Sequence, residues 1–182
     1  MVHGRIIDCC SLINLRTGWG GLSELSEFGW QWYLCEAVLK EAEHTREYGK
    51  DGLPVSVPID LGELTANQAL GIVGLRTEEE LVDYLEFASE VDDGEAQALA
   101  IAKHRGLMLL TDDRKAIRLA SRPDVAVATI STVDLLRVWA ALSPENAMRL
   151  GEILRRIENL ARFSPRKDSP DYRWWGHCRD EA

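Results

Sequence analysis

The chain has 182 residues, room for one ordinary domain with an appendage. Hydrophobic residues make up 46% and charged residues 28%, a globular composition that argues against disorder. Lys and Arg number 21 against 30 Asp and Glu, and the net charge of −9 excludes a generic phosphate-coating protein while leaving room for a local basic patch or carboxylate-held metal ions.

The opening stretch, His3 to Asp8, reads as a short buried strand, and Cys9 to Leu15 carries the apolar run into a turn or helix start. Gly18, Gly20, Gly21 and Gly29 mark Thr17 to Gly29 as a loop around short helical pieces. Helical spacing of Ala37, Val38, Glu41 and Ala42 predicts a helix from Glu36 to Tyr48. Gly49 to Pro58 reads as a Gly/Pro-punctuated connection, with a strand near Val57 to Leu61.

Thr77 followed by Glu80 is a capping box, and Leu81, Leu85 and Ala88 mark the apolar face of the helix it opens. Asp92-Asp93-Gly94 breaks that helix. A second runs from Glu95 to Arg105 and ends at Gly106. Leu107 to Thr111 has strand length and is followed by a helix over Asp112 to Ser121. Val125 to Ile130 reads as β, Thr132 to Leu142 as helix, and Ser143-Pro144-Glu145 as a strong helix start. That helix carries one apolar stripe, Leu150, Ile153, Leu154, Ile157, Leu160 and Ala161. The polar tail from Ser164 holds Tyr172, Trp174 and Trp175, an apolar payload expected to dock on the domain or on a partner subunit.

Short apolar strands alternating with helices predict an α/β fold with a largely parallel sheet. Ligands of such sheets gather outside the carboxyl ends of the strands. Two of the predicted strands end in acids there, Asp8 and the pair Asp112-Asp113.

Much familiar chemistry is missing. No GxGxxG or GxxxxGK[ST] follows a strand, there is no HExxH or GxSxG, and the four histidines are dispersed. Cys9, Cys10, Cys35 and Cys178 form no CxxC pair and read as reduced, mostly buried small hydrophobes. No apolar run approaches the ~20 residues that span a bilayer, and no signal peptide is apparent. The expectation is a soluble, cytoplasmic protein without a membrane partner. A phosphatase-like hydrolase with Asp8 as nucleophile would need a second acid two residues on, where Cys10 stands.

The stretch Gly94-Glu95-Ala96-Gln97-Ala98-Leu99-Ala100-Ile101-Ala102, followed by Gly106-Leu107-Met108-Leu109-Leu110-Thr111-Asp112-Asp113-Arg114, resembles the PIN-domain family. Ile6-Ile7-Asp8 with Leu12-Ile13-Asn14-Leu15 extends the resemblance, as does Glu36-Ala37-Val38-Leu39-Lys40-Glu41, similar to the family's Val-x-x-Glu helix. The resemblance covers roughly residues 3 to 140. It implies a three-layer α/β/α sandwich with a central, mainly parallel sheet. On this reading residues 1–142 are the PIN-like domain, and 143–182 add a C-terminal helix and an aromatic-containing tail. It also implies Mg²⁺- or Mn²⁺-dependent hydrolysis of RNA, as in VapC-type toxins. The alternative is a PIN-like module that binds RNA or protein without cutting.

Carried over position by position, the catalytic acids are Asp8, Glu41, Glu95 and Asp113, with Asp8, Glu95 and Asp113 as metal ligands. Asp112, Ser11 and Thr111 are their neighbours. The family often has Ser or Thr at the place of Cys10, and many members have Asp at the place of Glu95; a Gly-Glu-Ala subgroup looks similar to Gly94-Glu95-Ala96. The implied partners are an RNA substrate, an antitoxin protein and further copies of the chain. Charge is segregated as well. Glu78 to Glu95 is acidic without a base, and Lys103 to Arg122 is basic. Arg114, Lys115 and Arg118 in the basic stretch are candidate RNA contacts, and the acidic block is expected to face solvent or a basic partner.

Overall fold

The structure, a computed structural model, describes residues 4–60, 62 and 70–180. Its centre is a five-stranded, fully parallel sheet. The strands are β1 (Gly4–Ile7), β2 (Gln31–Cys35), β5 (Leu70–Val73), β6 (Met108–Leu110) and β7 (Thr129–Ile130), in the order β5-β2-β1-β6-β7. Ile6, Ile7, Leu34, Leu109 and Leu110 are sealed from solvent, as central strands covered on both faces must be.

Helices cover both faces and complete an α/β/α sandwich. One layer contains α1 (Cys9–Trp19), α6 (Thr132–Leu142) and α7 (Pro144–Arg156), joined by the Trp19–Trp139 ring pair at 5.8 Å. In the other, α4 (Asp93–Arg105) lies across the central strands, flanked by α2 (Glu36–Glu41), α3 (Glu78–Phe87) and α5 (Arg114–Ala120). Gly18 lets α1 and the C-terminal segment meet, because a Cβ there would stand 2.8 Å from Ile157. After α7 the chain makes a π-helical turn, Ile157–Ala161, and ends in α8 (Pro170–Asp180).

Several elements follow the sequence reading closely. Thr77 and Ser143 accept from the third residue of their helices, α6 has the predicted bounds, and Gly106 closes α4 at φ +63°. Others depart from it. α1 runs through Thr17 to Trp19, and a 3-10 turn at Ser23–Phe28 follows. The helix expected from Glu36 to Tyr48 stops at Glu41. His44–Tyr48 is instead strand β3, paired antiparallel with β4 (Pro54–Pro58). The strand expected near Val57 thus lies earlier, and Leu61 and His3 fall outside the described residues. Strands β2 and β5 were not expected. The polar tail is largely α8, and of the three aromatics expected to dock, Trp175 is buried against the domain while Tyr172 stays 39% exposed.

The face expected to bury α3 is reversed. Leu81 is 45% exposed and Leu85 62%, while Glu80 and Phe87 point inward. Glu80 is held by a two-bond fork from Arg105 at 2.7 and 2.9 Å, and that hydrogen bonding drives its pKa down to about 2. The two segregated charge blocks are in part each other's partners: Glu80 pairs with Arg105, Asp83 with Lys103, and Glu86 and Glu90 with Arg122.

Candidate active site

β1 and β6 are neighbours, but the chain leaves β1 toward β2 on its other side. The sheet order therefore reverses between β1 and β6, the position where open α/β sheets place ligands. Asp8 directly follows β1, and its N–H donates to Leu110 O at 3.1 Å, which fixes it beside the end of β6. Thr111, Asp112 and Asp113 follow β6. Glu95 enters from the first turn of α4.

Each of these acids also holds a helix N-terminus. Asp8 caps α1, accepting from Ser11 N at 2.7 Å through Oδ1. Asp113 caps α5, accepting from Lys115 N at 2.7 Å and Ala116 N at 2.9 Å, both through Oδ1. Glu95 Oε2 accepts from Asp92 N at 3.3 Å, ahead of α4. Asp112 Oδ1 accepts from Thr132 N, the start of α6, at 2.9 Å, and its Oδ2 accepts from Asn14 Nδ2 at 3.4 Å. Glu41 stands apart at the end of α2, its Oε1 accepting the Gly94 N–H at 2.8 Å. Helix N-termini carry partial positive charge, so several carboxylates can approach without a cation between them.

The capping pattern separates the acids. Asp112 has both oxygens committed. Asp8, Glu95 and Asp113 each use one oxygen and make no hydrogen bond with the other among the described residues. Asp8 Oδ2 is buried and has no partner. The hydroxyls of Thr111 and Ser11 lie beside this carboxyl, and neither closes a hydrogen bond on Oδ2.

The electrostatics show which groups face one another. Burial raises the Asp8 pKa to about 6, partly offset by the Thr111 and Ser11 hydroxyls. Burial, then the charges of Asp113 and Asp8, raise Glu95 to about 7. Burial raises Asp112. The Cys10 thiol is pushed up to about 11 by burial and then by the charges of Asp8, Glu95, Asp112 and Asp113. Cys10 was expected to be mostly buried, but it is exposed at the start of α1, within electrostatic reach of these acids.

Asp8, Glu95, Asp112 and Asp113 are therefore brought together, and Glu41 reaches the group through Gly94. Ser11 and Thr111 are buried beside Asp8. The basic candidates diverge: Arg114 lines a depression with Asp112 and Phe163, while Lys115 and Arg118 line another with Glu90 and Arg122.

The donor set suits a hard divalent cation: carboxylate oxygens, one of them buried and unpartnered. Among the described residues, no three His, Cys, Asp or Glu side chains are already arranged as ligands around one point. The fit therefore lies in the chemistry and the uncommitted oxygens.

Parallel β1 and β6, ending in acids that cap the surrounding helices, define an acid-site α/β/α protein with a nuclease-like fold. The chain belongs to the PIN-domain family, which matches it over residues 5–141. PIN domains are generally nucleases and typically use divalent metals. No curated protein and no solved structure matches the chain. Among the described residues, no helix is long and apolar enough to cross a membrane.

Proposed function

We propose that this protein is a metal-dependent endoribonuclease, with Asp8, Glu95 and Asp113 as the residues that hold Mg²⁺ or Mn²⁺. The observation that carries the reading is the buried, unpartnered Asp8 Oδ2 in a cluster where Glu95 and Asp113 also keep one oxygen uncommitted. A bound divalent ion supplies water activation and neutralises charge on the phosphate.

The chain's own residues prepare that chemistry. The N-terminus of α1 holds Asp8 and that of α5 holds Asp113, each with one oxygen left free. Glu41 positions Glu95 by gripping Gly94 at the start of the same helix. Asp112 ties β6 to α6 and to Asn14, and so supports the cluster without offering a free oxygen. The test is cleavage of single-stranded RNA with Mn²⁺, expected to stop in chelator. Robust cleavage in excess chelator overturns the mechanism.

The finer part of the reading makes the protein the toxin of a toxin–antitoxin pair. Leu81, Val82 and Leu85 form an exposed apolar face on α3, flanked by the exposed acids Glu78 and Glu79, which supports an antitoxin with a basic, amphipathic segment. Cys10, at the place where the family often has Ser or Thr, favours a second reading, a PIN-like module that binds RNA or protein without cutting. Calorimetry with Mn²⁺ separates the two: heat of binding that disappears in Asp8→Asn belongs to the nuclease.

A further inference from the structure

A groove of about 310 Å³ lies between α1, the β3–β4 hairpin and the π-helical turn. Ile13 and Leu160 line its floor, and His44, Arg46, Ser56 and Arg162 supply its polar groups. No carboxylate lines it, although the chain as a whole carries −9. None of the described acids pairs with Arg46 or Arg162, whereas Lys103, Arg105 and Arg122 are all held in ion pairs.

Two features place and fix this groove. Ile13 is five residues beyond Asp8, the N-cap of α1, about 7.5 Å along the helix axis, so the groove and the acid cluster share this helix. His44 likewise opens β3 three residues after Glu41. Arg162 ends the π-helical turn in the left-handed region at φ +59°, a conformation costly for any residue other than glycine and concentrated at functional positions.

We propose that this groove binds the phosphodiester backbone of the RNA substrate on one side of the acid cluster, with Arg46 and Arg162 contacting phosphates and Ser56 donating its hydroxyl. The assignment rests on the ribonuclease reading. It replaces Arg114, Lys115 and Arg118 as the principal RNA contacts with residues from an unexpected hairpin and from a segment beyond the family match. Repulsion by the bare acids makes a cation-rich track beside them necessary for any polyanion.

The test uses the full chain and a 20-nucleotide fluorescein-labelled single-stranded RNA, followed by anisotropy in chelator across a salt series. Arg46→Gln/Arg162→Gln should raise Kd on the order of tenfold or more and reduce the slope of log K against log salt by about 1.4, the loss of two single-strand phosphate contacts. With Mn²⁺ the same variant should show a higher KM and a near-parental kcat, and Arg46→Lys/Arg162→Lys should recover most of the affinity. Unchanged Kd and slope, with melting temperature retained, overturn the groove while Mn²⁺-dependent cleavage leaves the nuclease reading standing. A parent that binds the RNA through Arg46 and Arg162 but never cuts it keeps the groove and removes the nuclease reading, and a parent that does not bind the RNA overturns the groove as well. An Arg114→Gln/Arg118→Gln variant that carries the whole salt effect also overturns the proposal.

Discussion

Glu41 Oε1 accepts the Gly94 N–H at 2.8 Å across 53 positions of sequence. The bond needs glycine, because a Cβ at position 94 would stand 2.5 Å from Glu41 Oε2. One residue before Glu95, this contact sets how far the α4 carboxylate reaches into the cluster. Gly94→Ala should therefore push Glu41 away and lower RNA cleavage by about tenfold or more, the effect of a small misplacement at a reacting site. Glu41→Gln keeps an acceptor oxygen and should retain cleavage within a few-fold, whereas Glu41→Ala should resemble Gly94→Ala. Loss by orders of magnitude in Glu41→Gln would instead make Glu41 a metal ligand. Steady-state rates of the three variants decide.

The uncommitted oxygens make a second prediction, a contrast between neighbouring acids. Asp8→Asn keeps the acceptor for Ser11 N and replaces Oδ2 with an amide that cannot bind a hard cation. Cleavage should fall by about 10²-fold or more, since charge stabilisation by an ion is worth several kcal/mol and each 1.36 kcal/mol is a factor of ten. Asp112→Asn keeps the acceptor for Thr132 N, and Asn14 can turn its amide to meet the new donor. That variant should lose less than about tenfold. Equal losses would show that Asp112 acts directly.

Burial of carboxyl groups, reinforced by neighbouring charge, also governs stability. Asp8 and Glu95 have folded pKa values raised to about 6 and about 7. Each binds its proton more tightly when folded, so stability is greatest near pH 4 and falls as pH rises through 6 to 7. Two units at the buried Asp8 correspond to about 3 kcal/mol, and the half-exposed Glu95 adds less because water screens it. Glu80 works in the opposite direction, with its pKa held near 2 by Arg105, but its contribution is lost only below the ordinary carboxyl range. In chelator the melting temperature should fall between pH 5 and pH 8. Mn²⁺ should cancel that fall, because deprotonated ligands bind the ion and the ion stabilises only the state that holds it. Asp8→Asn should flatten both curves. A parental melting temperature that rises toward pH 8 in chelator would mean that burial does not raise these two carboxyls.

The sequence made the acid positions legible because each follows an apolar run with strand length or opens an Ala-rich helix. What it concealed follows from local ambiguity. The run Gln31-Trp32-Tyr33-Leu34-Cys35 is rich in strand formers, but it is one side of an abrupt strand-to-helix junction at Glu36 and sits among glycines. The helical spacing from Ala37 to Ala42 extends naturally toward Tyr48, and only pairing with Pro54–Pro58 turns His44–Tyr48 into a strand. Prolines at both ends of β4 suit an edge strand, yet in sequence they read as a connection. The inward face of α3 was hidden because periodicity favours burying Leu81 and Leu85; the Glu80–Arg105 fork overrides it. Cys10 was legible as a residue but not as one within electrostatic reach of four acids, which depends on three elements meeting.

The last prediction concerns the two adjacent tryptophans of α8, which the structure places in different environments. Trp175 is 1% exposed, packs edge-on against Phe163 at 5.8 Å, and donates Nε1 to Glu158 at 3.4 Å. Trp174 is half-buried and lies against the Arg137 guanidinium at 4.5 Å. Burying a full aromatic is worth far more than a cation–π contact at the surface. Trp175→Ala should cost about 3–5 kcal/mol, and Trp174→Ala about 1 kcal/mol or less. Because Phe163 precedes the segment that lines the depression beside Asp112 and Arg114, the Trp175 variant should also loosen that wall and raise proteolysis between Ser164 and Ser169. Denaturant unfolding of both variants, with limited proteolysis at the same temperature, checks the pair. Equal and small losses would mean that α8 contributes nothing to the core and that the aromatic packing is incidental to folding.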